Sequence, residues 1–158
     1  MKRQVAVLSA ALAVTVVGLA VVSSNAQQPG APTGTLQLVA LPKDNRFTFV
    51  NNPPKQGPRR PPSPGDFGVL RHTKLRNTSG ERVGNARVVF TTTGRDRAIA
   101  HGVFQLGGGL IVFDGIADGP TPHTHAITGG TGAYNGAAGT LTVEDRRGRT
   151  SFTFSFSG

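Results

Sequence analysis

Beyond residue 34 the chain is written in short runs of alternating apolar and polar residues, with no sustained 3.6-residue periodicity. The C-terminus is the clearest run. In Thr150-Ser151-Phe152-Thr153-Phe154-Ser155-Phe156-Ser157 three phenylalanines point to one side and small hydroxyls to the other, because strand side chains alternate faces. Further strands are expected over 35–41, 46–50, 67–76, 81–93, 97–105, 110–116, 125–127 and 139–145. Gly, Asn, Asp and Pro punctuate them at Asn77-Thr78-Ser79-Gly80, Gly94-Arg95-Asp96, Gly107-Gly108-Gly109, Asp118-Gly119-Pro120 and Arg146-Arg147-Gly148. About eight short strands joined by tight turns describe an all-β domain, either an antiparallel sandwich or a closed barrel.

Two segments break the pattern. Met1-Lys2-Arg3-Gln4 is a basic head, Val5–Val22 is an uncharged apolar run, and Ser24-Asn25-Ala26 offers small residues where a signal peptidase cuts. Residues 1–26 read as a secretory signal peptide, or as a membrane anchor if left uncleaved, with the domain outside in either case. Residues 27–34 form a flexible lead into a domain spanning 35–158. Within it, 51–65 carries Pro53, Pro54, Pro58, Pro61, Pro62 and Pro64 and is an extended loop, since proline cannot donate to a ladder. It is either a lid or a plain connection.

Composition narrows the chemistry. The 158 residues include no cysteine, which excludes disulfides, thiolate nucleophiles and Cys-ligated metals. Lys and Arg number 17 against 8 acidic residues; without Lys2 and Arg3 the net charge beyond residue 26 is +7. The basic residues are scattered over turns with no interleaved aromatics, so no nucleic-acid partner is expected.

The stretch 126–139, Ala-Ile-Thr-Gly-Gly-Thr-Gly-Ala-Tyr-Asn-Gly-Ala-Ala-Gly, is not a nucleotide loop: Gly130, Gly132 and Gly136 miss the required spacing and no helix follows. Its glycines suit a tight corner plugged by Tyr134. From Ile127 to Gly139 it closely resembles the signature of the allene oxide cyclase and dirigent barrels. Ser79-Gly80-Glu81-Arg82-Val83-Gly84 resembles the turn into their central strand, and Gly109-Leu110-Ile111-Val112-Phe113-Asp114-Gly115 the strand before the signature. The resemblance covers most of 35–158. It implies an eight-stranded antiparallel β-barrel with an apolar cavity, commonly a homotrimer, whose members cyclise a fatty-acid-derived allene oxide or steer the coupling of phenoxy radicals. The acidic residues on which those activities rest have no counterpart here: no glutamate lies between Gln27 and Gly80, and Thr73, not an acid, follows His72.

The expected function is therefore a secreted dirigent-like barrel that steers the coupling or cyclisation of an apolar small molecule without a cofactor or metal. A cofactor-free isomerase and a non-catalytic surface barrel are the alternatives. Asp114, on a strongly apolar strand beside Leu110, Val112 and Ile116, is the candidate proton donor or acceptor if burial raises its pKa. Arg71 and His72 are the other catalytic candidates, and Asp66, Phe113 and Tyr134 the ligand-binding ones. His123 and His125 would share a strand face, but no third metal ligand is evident.

Overall fold

In the computed structural model, which describes residues 30–52 and 62–158, nine strands form one antiparallel sheet. They are β1 (Thr33–Ala40), β2 (Asn45–Val50), β3 (Phe67–Arg76), β4 (Arg82–Gly94), β5 (Arg97–Leu106), β6 (Gly109–Asp118), β7 (His123–Gly130), β8 (Gly139–Arg146) and β9 (Arg149–Ser157). The signal segment and the centre of the proline loop, 53–61, lie outside the described residues. Among those described, no helix is long and apolar enough to cross a membrane.

Eight of the strands close a ring. From β3 to β9 each strand pairs with the next, β9 pairs with the whole of β1, and β1 returns to β3 through Val39–Arg76 and Ala40–Leu75. Pro42 then ends the β1 ladder, and a 3-10 turn over Pro42–Asp44 carries the chain into β2, which pairs with the other half of β3. Buried Asp44 latches this seam. Its carboxylate accepts from Arg76 Nη1 at 2.8 Å, and its carbonyl accepts from Thr73 Oγ1 at 2.8 Å. The bond to Arg76 holds the Asp44 carboxyl below its ordinary pKa.

Glycine and one arginine make the turns. Arg147 and Gly148 both have positive φ, 49° and 75°, the two-residue geometry that matches the twist of the β8–β9 hairpin. β7 is longer than its sequence suggests because Gly129 and Gly130 continue the strand instead of ending it. At Gly130 a side chain would collide with the carbonyls of Tyr134 and Leu110, so only glycine fits. The extra residue Thr128 bulges between the pairs Val112–Gly129 and Phe113–Ile127.

The inner faces of β5, β6 and β9 fill one end of the barrel. Phe104 stands edge-on to Phe152 and Phe154, with centroids 5.0 and 4.8 Å away, and tilts against Phe113 at 5.7 Å. Leu38, Leu75, Ile111 and Leu141 complete this packing. Tyr134, in a 3-10 turn at Gly132–Tyr134, stacks on Phe156 at 6.2 Å and closes this end as a corner plug. The row Phe152, Phe154, Phe156 therefore faces the interior.

Phe104→Ala should cost about 3–5 kcal/mol, because the fully buried ring is the hub of this cluster and its neighbours cannot all close the gap. Denaturant unfolding of the variant against the parent measures it.

Candidate ligand site

At the other end the barrel is not filled. Where β5 and β9 carry Phe104 and Phe154 near the plug, the walls here carry Ala100, Ala117, Val88 and Val143. They leave a cavity of about 170 Å³ whose lining includes Phe113, Phe152, His72, His123 and His125. Phe90 and Ala117 also line an outer recess of about 260 Å³, walled by Phe47 and Phe49 of β2. Phe47 is 61% exposed, the largest exposure among the described aromatics. Its ring lies over Gly68, where any side chain would displace it.

His72 is fully buried on β3. Its Nδ1 is 2.7 Å from Asn45 Oδ1, so Nδ1 carries the proton, and Phe152 lies edge-on 5.1 Å away. Burial pushes its pKa down to about 4, against a smaller upward pull from Asp145. His125, on β7, sits over Gly115, whose lack of a side chain is what leaves room for the ring. Its Nδ1 is buried and has no partner. Burial, with the neighbouring His123 ring 6.1 Å away, lowers its pKa also. Both rings are therefore neutral near pH 7.

The sequence candidates divide sharply. His72 and Phe113 line the cavity. Asp114 does not: the inward residues of β6 are Ile111, Phe113, Gly115 and Ala117, which places Asp114 outside with Ile116. There it is 46% exposed, bonded to His101 Nδ1 on one oxygen and to Thr128 Oγ1 at 3.0 Å on the other. These partners, His101 first, hold its pKa below the ordinary value, opposite to the rise expected from burial. Arg71 points outward beside Arg87. Asp66 is buried but organises a loop: its carboxylate accepts from the backbone N–H of Asn52 at 2.9 Å and of Ser63 at 2.7 Å. It thereby ties together the two ends of the proline loop. Tyr134 belongs to the plugged end, where burial raises its pKa.

Asn45, Phe47 and Phe49 were not anticipated from the sequence. The only signal was the alternation Asn45-Arg46-Phe47-Thr48-Phe49, and which face of β2 mattered follows from its pairing with β3.

Neither a protein-family model nor a curated protein sequence matches this chain. Solved structures do. A pyocyanin demethylase is 23% identical, with a TM-score of 0.64 and 78% of this chain aligned to 99% of that one. A pterocarpan synthase dirigent protein is 17% identical, with a TM-score of 0.55, covering 78% and 94%. AbnU, an exo-specific intermolecular Diels-Alderase, is 17% identical, with a TM-score of 0.52, covering 78% and 98%. The chain has the dirigent-like barrel fold that these proteins share.

Two outcomes are expected. Gly115→Ala should force the His125 ring out of place and destabilise the barrel by about 1–3 kcal/mol, read by thermal or denaturant unfolding. His72 titrates near 6.5 when unfolded and about 4 when folded, so the unfolded state binds more protons between those values. Stability from this group is complete above pH 6.5 and falls as pH drops to 4, by about 3 kcal/mol. His72→Phe, if it folds, should flatten that part of the pH–stability curve.

Proposed function

We propose that this dirigent-like barrel binds an apolar molecule, one ring of which enters the cavity, and steers its coupling or cyclisation without a cofactor. The observation that carries the reading is the half-filled interior: about 170 Å³ walled by Phe113, Phe152, Val88, Ala100 and Ala117. A cavity of roughly 150 Å³ with apolar walls holds a benzene-sized molecule. The adjoining recess at Phe47 and Phe49 offers room for the remainder of a longer ligand. Walls of this kind restrict a flexible or reactive molecule to few conformations and keep water away, which is how steering works without a chemical group of its own. Two proteins of the same fold, named as a dirigent protein and a Diels-Alderase, support the reading by analogy.

A cofactor-free isomerase or cyclase is the second reading, and His72 is the observation that favours it. It brings a neutral imidazole, oriented by Asn45, to the wall of a largely apolar cavity, where it can accept a hydrogen bond from the substrate and polarise the donor. Asp114 and Arg71, on the outer surface, have no part in either mechanism.

The basic head and apolar run at the N-terminus support export of the domain. For assembly as a homotrimer, the support is an outward apolar patch on neighbouring strands: Val89, Ile99 and Ile116 are all exposed, and Ile99 pairs directly with Ile116.

Ala117→Phe tests the binding reading. Ala117 borders both the cavity and the recess, so a phenyl group there should fill the throat between them. The parent protein should bind naphthalene, followed by quenching of its fluorescence, and the variant at least tenfold more weakly. Equal binding by the two proteins would remove the cavity from the account.

A further inference from the structure

His72 and His125 lie on strands far apart around the ring, β3 and β7, yet both line the one cavity. Their proton positions follow from what each Nδ1 meets. The Nδ1 of His72 faces the amide oxygen of Asn45, an acceptor, so it is protonated and Nε2 keeps a lone pair. The Nδ1 of His125 is buried over Gly115 with no partner. A buried N–H without an acceptor is the costlier orphan, so this nitrogen carries the lone pair and the proton sits on Nε2. Among the described residues neither Nε2 has a hydrogen-bond partner, and both rings border the cavity.

We infer that the two imidazoles form a donor–acceptor pair of opposite polarity in the cavity, selecting a flat ring that carries a neutral hydroxyl for His72 Nε2 and a hydrogen-bond acceptor for His125 Nε2–H. The inference rests on the cavity-binding reading and adds the ligand's chemical class: a phenol or enol conjugated to a carbonyl, nitro group or ring nitrogen. An anionic phenolate does not fit, because its oxygen would meet the lone pair of His72. The imidazole of His72 is too weakly basic in this setting to remove the proton outright. It polarises the O–H bond instead, while His125 draws electron density towards the far side of the ring. Two further ionisable side chains border the same cavity, His123, half-buried on β7, and Asp145, exposed at the rim on β8.

The test has two arms. Long-range proton–nitrogen NMR of the histidine rings in the free protein at pH 7 should show His72 protonated on Nδ1 and His125 on Nε2. The same tautomer in both rings, or an imidazolium in either, overturns the pair regardless of what binds. In the second arm 4-nitrophenol, nitrobenzene and 4-nitroanisole are titrated against the protein. All three should bind, the phenol about tenfold more tightly than the other two, the size of effect one hydrogen bond supplies. Its phenolate absorbance should fall on binding.

His72→Phe, or Asn45→Ala if the former does not fold, should abolish the tenfold preference while retaining nitrobenzene. Equal binding of phenol and nitrobenzene by the parent protein, or a rise in phenolate absorbance, overturns the donor–acceptor pair and leaves the cavity reading standing. Failure of all three probes to bind, with the expected tautomers present, contradicts the cavity reading itself.

Discussion

The packing of Phe104 against Phe113, Phe152 and Phe154 is the contact on which the rest of the molecule depends. An eight-stranded barrel is just wide enough for side chains to fill. Whether it is solid or hollow at a given level is therefore decided by side-chain volume alone. At the level of Phe104 and Phe154 it is solid; at the level of Ala100 and Ala117 it is hollow. Phe152 and Phe113 belong to both levels, as the top of the packed half and as walls of the open one. The solid end supplies the apolar burial that a chain without disulfides needs. The open end is freed for function.

The same walls set the chemistry of the polar groups among them. Removing His72 and His125 from water disfavours their charged forms, so each enters the cavity as a neutral ring whose hydrogen-bonding character depends on its tautomer. Asn45 orients the first and Gly115 accommodates the second. Asn45 is held in turn by the chain's departure from the barrel at Pro42–Asp44, latched by Asp44 to Arg76. The seam that closes the ring thus also positions a ring nitrogen on its inside.

Much of this was legible in the sequence because barrels write alternation and turns plainly. The phenylalanine row and the corner at Tyr134 follow from short-range pattern and from the resemblance of 127–139 to a known signature. Asp114 shows where such reading fails. Residues 110–113 are all apolar, and Ile116 is exposed on the outer face, so β6 carries no polar alternation to say which side is in. Nor does the sequence single out Gly115, an inward position emptied for His125. Asn45 was invisible for a different reason: its partner is 27 residues away across the seam, and nothing local announces that pairing. The histidine pair at 123 and 125 was legible as sharing a strand face, but its chemistry depends on Gly115 and on what lies opposite.

A crystal of the protein pressurised with xenon tests the half-hollow barrel most directly, since xenon enters apolar cavities and reports their position by its own scattering. The account requires a xenon site between Phe113, Phe152 and Ala100, and none among Phe104, Phe154 and Leu38. Xenon absent from the first position, with the Phe113 or Phe152 ring occupying that space, would contradict it.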